Sequence, residues 1–409
     1  MKDMLEPASS TRMHDSATVV AHALMYRRHI AHNFARLHSK HINSERFDDG
    51  RFTVLHKLGW GGYGTTWLAL DRSLSRNVAL KLSAAEISPD SSEIQVHHLL
   101  SSGSDRYGGK PHIAELLHSF TLEGPNGKHD CIVTELLGPS ADAAAQRYGR
   151  RRLPGRLAWQ AVRQVTKALA YMHEEGVVHG DLHPGNILLP CDDRFKHPDS
   201  EAVRALGLPT KGDVHATSYT SSLPRYMVRP ISLPLAIGSS NSCTFKVIDF
   251  GSSFRSGLNP SPRMRCPLPF RAPEAVLTRQ WDKPADIWSL GCTIFSLIVG
   301  QPPFDSIFSD ERSLTADWIA TFGPLPQEWD NVVVSFKDIE LAELDCPDLV
   351  EWLRELYFDE DRKPFFVEED IEKIGDLILS LLKYRPEERP TARELLDHPL
   401  IRKDPFSSR

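Results

Sequence analysis

From Arg51 the chain alternates apolar and polar residues in the manner of half-buried strands. Phe52-Thr53-Val54-Leu55 is followed by a glycine-rich turn, then by Thr65-Thr66-Trp67-Leu68-Ala69-Leu70. Asn77-Val78-Ala79-Leu80-Lys81-Leu82 and Cys131-Ile132-Val133-Thr134-Glu135-Leu136-Leu137 predict two further strands. Between them, Glu93 to Leu100 has apolar residues at 96, 99 and 100 and predicts a helix. Gly138-Pro139 then reads as a hinge. Beyond it the period becomes helical. Leu157, Ala161, Val165, Ala168, Leu169 and Met172 share one face of a helix running from Leu157 to His173. Ala285 to Val299 is apolar nearly all round, as at the centre of a large lobe. The pattern is that of an α+β chain: a β-rich part first, a mainly helical part second.

Two stretches break the pattern. Residues 190–242 are rich in Pro, Ser and Gly without clear period and read as an insertion. The first fifty residues read as a poorly ordered leader, although Val19 to Ile30 could form a basic, moderately amphipathic helix. Asp3, Glu6 and Asp15 speak against a transit peptide there.

With 409 residues, 41% of them hydrophobic and 25% charged, the chain suits one large bilobal domain. A formal net charge of −6 argues against bulk nucleic-acid binding. The longest apolar run, Ile287 to Val299, is shorter than a bilayer span. No direct nucleic-acid or membrane partner is therefore expected, and the chain is taken as a monomer. The six cysteines form no CxxC pair and no metal-ligand spacing, which fits a reducing compartment, cytoplasm or nucleus.

The chemistry is carried by four motifs in order. Gly59-Trp60-Gly61-Gly62-Tyr63-Gly64 places glycines where backbone N–H groups can approach phosphate oxygens without Cβ interference. The residues after it are β-branched and aromatic, so this loop joins two strands, whereas a dinucleotide-binding loop leads into a helix. Lys81 ends the apolar run Val78-Ala79-Leu80, and phosphates are the natural partner for its ammonium. Glu93, with Glu86 as the alternative, is the candidate ion-pair partner that holds it. In His179-Gly180-Asp181-Leu182-His183-Pro184-Gly185-Asn186, Asp181 can accept or orient the proton of an attacking hydroxyl, and Asn186 can ligate Mg²⁺. Phe245-Lys246-Val247-Ile248-Asp249-Phe250-Gly251 ends a strand in the carboxylate of Asp249, the second metal ligand.

Together with Ala272-Pro273-Glu274, Asp286-Ile287-Trp288-Ser289-Leu290-Gly291 and Arg389, these motifs resemble the eukaryotic protein-kinase family over roughly 51–401. The resemblance implies the bilobal kinase fold, with an N-lobe over 51–137, a C-lobe over 138–402 and a tail over 403–409. It implies ATP and Mg²⁺ as cofactors, a Glu274–Arg389 pair, and bracing of the catalytic-loop backbone by Asp286. The nucleotide-binding set it implies is Leu58, Gly59, Trp60, Gly61, Gly62, Tyr63, Gly64, Thr66, Ala79, Lys81, Glu93, Glu135 and Leu137, with Thr134 as gatekeeper.

A narrower resemblance, to the SR-protein kinase branch and its fungal members, is carried by three segments. They are His56-Lys57-Leu58-Gly59-Trp60-Gly61 with Thr66-Trp67-Leu68-Ala69, Leu137-Gly138-Pro139-Ser140, and Pro267-Leu268-Pro269-Phe270-Arg271-Ala272-Pro273-Glu274. That branch also carries an insertion before the DFG strand. The implied activity is ATP-dependent phosphorylation of Ser and Thr in protein substrates, basic or Arg/Ser-rich ones among them.

The sequence departs from the family at three places, the mildest being Thr66 where a valine often roofs the adenine. His183 replaces the usual catalytic-loop lysine and is only partly charged near neutral pH. Gly180 replaces the arginine that normally meets an activation-loop phosphate, so no such phosphorylation should be needed. Asp338 to Asp376 holds fifteen acidic residues against four basic ones, either a solvated face or a docking surface for basic peptides. Arg147, Arg150, Arg151, Arg152 and Arg156 form a basic run of the kind that is usually solvated. A small-molecule phosphotransferase of the aminoglycoside or choline type, and a pseudokinase acting as a binding module, are the competing readings.

Overall fold

The computed structural model describes residues 46–406 except 63, 86–91, 125–126, 149–150, 215–225, 236–242, 259–263, 305–309, 330–347, 360–364 and 404. The leader as far as residue 45, Tyr63, Glu86 and part of the acidic run lie outside the described residues, while Arg46–Phe47 of the leader form a strand. The chain divides into two compact units. One comprises the described parts of Met1–Ser91, His118–Val133 and Lys196–Ile231, the other those of Ser92–Leu117, Thr134–Phe195 and Ser232–Arg409.

The first unit is built on a six-stranded sheet. Its strands are β1 (Arg46–Phe47), β2 (Phe52–Gly61), β3 (Gly64–Asp71), β4 (Arg76–Ser83), β5 (Leu116–Gly124) and β6 (Gly127–Glu135), in the spatial order β1-β2-β3-β4-β6-β5. Phe52, Val54, Leu68, Ala69, Val78 and Leu80 are fully buried in it. β2 runs further than the apolar pattern suggested, to the tip of the glycine turn, because it stays paired: Gly59 opposes Thr66 and Gly61 opposes Gly64. Gly64 must be glycine, since a Cβ there would meet the Leu82 carbonyl oxygen of the next strand at 2.4 Å. At the sheet's other end Arg51 holds buried Asp71 through two hydrogen bonds of 3.1 and 2.9 Å.

The insertion is less irregular than its composition suggests. It contains a helical turn, Glu201–Arg204, and a hairpin of Lys211–Asp213 with Tyr226–Val228, with the Lys211 ammonium 4.5 Å from the Tyr226 ring centroid. Its 196–231 part belongs to the first unit and is fastened to β2. Ile231 N–H donates to the Lys57 carbonyl at 2.8 Å, and His56 is hydrogen-bonded to the Gly207 backbone. Short local pairings of this kind leave no period for sequence to show.

The second unit has one hydrophobic core, in which Trp159, Tyr171, Phe245, Phe250, Trp288, Phe295, Trp318 and Phe366 are fully or almost fully buried. Each contributes roughly 1.5–3 kcal/mol by leaving water. The helix Gly155–Glu174 buries the predicted face, and Gly176, at φ 74°, turns the chain beyond its end. The central helix Lys283–Val299 starts on an Asp282 cap and ends at Gly300 in the left-handed conformation, φ 90°. Gly291 lets that helix approach the end of Glu368–Leu381, because a Cβ would meet Leu382 Cδ2 at 2.9 Å.

Gly138-Pro139 lies in β7 (Leu137–Ser140), which pairs with Ile187–Pro190, and a Cβ on Gly138 would meet the Pro190 carbonyl oxygen at 2.7 Å. Pairing with the strand after the catalytic loop overrides the dipeptide's turn preference. The basic run is partly spent internally: Arg147 bonds Ser232, and Arg152 bonds the Tyr357 carbonyl and lies over its ring.

Candidate active site

In the first unit the glycine turn and Lys81 share one antiparallel frame. Thr66 opposes both Gly59 and Lys81 across neighbouring strands, and Ala79 opposes Leu68. A Cβ at Gly59, Gly61 or Gly62 would meet nothing within 4 Å. The turn therefore exposes backbone beside open space, the cradle a phosphate chain needs. Leu58 and exposed Trp60 flank it on β2.

The second unit holds the other residues. Glu93 opens the helix Glu93–Ser102 and is buried. It belongs to a different unit from Lys81. Glu135 ends β6, and Leu137 begins β7.

The catalytic loop is fixed from below by Asp286, which is fully buried in the first turn of the central helix. Its carboxylate accepts from His179 N–H at 2.8 Å and Gly180 N–H at 2.9 Å, and contacts His173 Nε2 at 2.9 Å. This is the bracing that the family resemblance implied. His173 was not anticipated; a histidine ending the buried face of an amphipathic helix was its only signal.

His179 ties the catalytic loop to the metal strand. Its Nδ1 accepts from Asp181 N–H at 3.1 Å, so Nε2 carries the proton and donates to the Ile248 carbonyl at 3.1 Å. Complete burial lowers its pKa, which keeps the ring neutral. Ile248 N–H in turn donates to the Asn186 carbonyl at 3.0 Å. The Asn186 amide donates both protons to Asp181, at 2.8 Å to its carbonyl and 3.1 Å to its carboxylate. That leaves the amide oxygen of Asn186 for a cation. Asp249 follows Ile248 at φ 64°, with its Oδ1 accepting from Gly251 N–H at 3.3 Å.

Among the described residues no three His, Cys, Asp or Glu side chains form a self-sufficient metal site. Mg²⁺ does not require one. It is held by one or two protein oxygens together with phosphates and water, a donor set that Asn186 and Asp249 fit.

His183 stands apart from the family pattern in geometry as well as identity. Its Nδ1 accepts from Gly185 N–H at 3.1 Å, placing the proton on Nε2, which lies 3.6 Å from Asp181 Oδ1. Burial, with a smaller effect from His179, lowers its pKa to about 4. Near neutral pH it is an uncharged ring beside the catalytic carboxylate.

Away from the loop, Arg389 meets Glu274 through two bonds of 2.7 Å, both side chains buried, as the resemblance implied. The model of the protein kinase domain family matches residues 52–223 and 237–401. The chain belongs to the protein kinase family. It resembles serine/threonine kinases of the SR-protein-kinase-like type. It is 29% identical to protein kinase dsk1 of Schizosaccharomyces pombe, over 71% of this chain and 68% of that one. It is 26% identical to serine/threonine-protein kinase SRPK of Physarum polycephalum, covering 86% and 85%, and 28% identical to serine/threonine-protein kinase AFC1 of Arabidopsis thaliana, covering 86% and 71%. The solved kinase domain PF14_0431 shares its fold, with a TM-score of 0.58 and 20% identity over 88% of this chain and 99% of that one.

Proposed function

We propose that this kinase uses Mg²⁺ and ATP to phosphorylate Ser and Thr in basic, Arg/Ser-rich proteins. The observation that carries the chemistry is the Ile248 peptide, whose N–H holds Asn186 and whose carbonyl holds His179. Through those two bonds Asp181, Asn186 and Asp249 share one rigid frame. Preorganised groups of this kind lower a barrier without reorganising during reaction.

Asp181 would align the substrate hydroxyl and take its proton. Lys81 and the glycine-turn N–H groups would hold the phosphates, and Asn186 and Asp249 would hold the metal. Mg²⁺, when bound, supplies charge neutralisation to the phosphate oxygens. The substrate class is supported by carboxylates exposed along the helices Leu349–Phe358 and Glu368–Leu381, including Glu351, Glu355, Glu369 and Glu372. We place the enzyme in cytoplasm or nucleus, a reading supported by the reduced thiols of the buried cysteines Cys131, Cys243, Cys266 and Cys292.

One observation favours a weaker enzyme or a binding module: the neutral His183 where the family has a lysine. Transfer of γ-phosphate from Mg·ATP to an Arg/Ser-rich peptide, a generic basic protein and an aminoglycoside separates the readings. Transfer to the Arg/Ser peptide that disappears in Asp249→Ala supports the proposal. No transfer to any acceptor, with ATP still bound, favours the binding module. Activity gained in His183→Lys would then locate the defect.

A further inference from the structure

Lys246 is a charged residue inside an apolar strand, three positions before Asp249. Its ammonium lies 2.6 Å from Glu135 Oε1 and donates to the Ile113 carbonyl at 3.3 Å, with both side chains of the ion pair mostly buried. Glu135 is pinned as well. Its Oε1 accepts from Glu115 N–H at 3.0 Å, and its own N–H donates to the Glu115 carbonyl at 3.2 Å.

The backbone around the pair forms a closed circuit. Lys246 and Val247 pair with Leu188 and Ile187, and the strand Ile187–Pro190 also pairs with Leu137–Ser140, directly after Glu135. Ala114 N–H donates to the Val247 carbonyl at 3.0 Å. The Glu135–Lys246 bridge closes this circuit through side chains, so its removal leaves the backbone pairings standing.

We infer that Glu135 and Lys246 are a positioning pair that couples the nucleotide-contacting segment at Glu135 to the metal-holding carboxylate of Asp249. The two side chains are spent on each other and on the backbone of Ile113 and Glu115, so the pair acts through the strand from which Asp249 projects. This rests on the reading of Asp249 as a metal ligand, and the test separates the two.

The measurement is calorimetric titration of the full chain with ADP, with and without Mg²⁺, in Lys246→Met, Glu135→Gln, the double variant, Lys246→Arg and Asp249→Asn. Wild type should bind ADP more tightly with Mg²⁺. Lys246→Met and Glu135→Gln should each lose about fivefold of that gain, and Lys246→Met, which lies outside the nucleotide-binding set, should leave metal-free ADP affinity unchanged. The double variant should lose no more than either single, and Lys246→Arg, which keeps the charge, should keep the gain. The inference is overturned if both singles retain the full gain while Asp249→Asn loses it, or if the losses multiply in the double variant. If Asp249→Asn itself keeps the gain, the metal assignment fails and the inference falls with it.

Discussion

Trp281 occupies the space beside Gly180 where the family carries an arginine. A Cβ on Gly180 would meet Trp281 Cη2 at 2.9 Å and the Ser252 carbonyl oxygen at 2.8 Å, and Gly180 sits at φ 74°. Trp281 is buried and packs edge-on against Phe254, their ring centroids 4.9 Å apart. Ser253 is buried too, its hydroxyl donating to the His179 carbonyl at 2.9 Å. The start of the activation segment is thus held by aromatic packing and a buried hydroxyl.

Phosphatase-treated enzyme should therefore keep its full rate. A rate that collapses on treatment and returns with phosphate on Ser252, Ser256 or Ser261 would contradict this. Gly180→Ala should cost about 1–2 kcal/mol from its left-handed backbone alone, with the Trp281 contact adding to that. Trp281→Ala should cost about 3–5 kcal/mol as a large buried truncation. Urea denaturation measures both.

The Glu274–Arg389 pair has a different weight. Arg389 also donates to the carbonyls of Lys383, Pro284 and Tyr384, so its charge is fully engaged in a buried site. Breaking the pair leaves one charge buried alone. Arg389→Met or Glu274→Gln should each cost about 3–5 kcal/mol, and the double variant should cost less than the sum of the two.

How far these features were legible in sequence depends on whether they are local. The glycine turn, Lys81, Asp181, Asn186 and Asp249 each sit in a short motif whose spacing is fixed by one loop or strand. The Glu274–Arg389 and Asp286 roles could be carried over by resemblance, residue by residue. His173, Lys246 and Trp281 could not. Each acts on a partner distant in sequence, and nothing beside it names that partner: His173 reaches Asp286, and Lys246 reaches Glu135. The pairing of the Gly138-Pro139 segment was hidden for the same reason, because the strand it joins lies some fifty residues on. The hairpin within the insertion was hidden because its strands are three residues long.

The acidic face yields a prediction about substrate rather than fold. Glu351, Glu355, Asp359, Glu369 and Glu372 are exposed, so their charges are solvated and their mutual interactions contribute little to stability. Reversing Asp359, Glu360 and Asp361 to lysine should leave kcat and the denaturation midpoint unchanged. KM for an Arg-rich peptide should rise, and its salt dependence should flatten. An unchanged KM would return these carboxylates to the role of a solvated surface.

The depressed pKa of His183 makes the fold sensitive to mild acid. Its folded value is about 4, against the usual 6.5. Between those values the unfolded chain binds the proton and the folded chain does not. Stability from this group is therefore complete above pH 6.5 and is lost as pH falls towards 4, by roughly 3 kcal/mol at most. Burial lowers His179, His56, His112 and His398 in the same sense, so they add to the slope. Urea midpoints measured from pH 7 to pH 4.5 should fall steadily for the wild type and less steeply for His183→Gln. The glutamine cannot take up a proton, and its amide can still accept from Gly185 N–H. Parallel slopes in the two proteins would mean that His183 titrates at the same pH in the folded and unfolded chain, so that burial does not depress it.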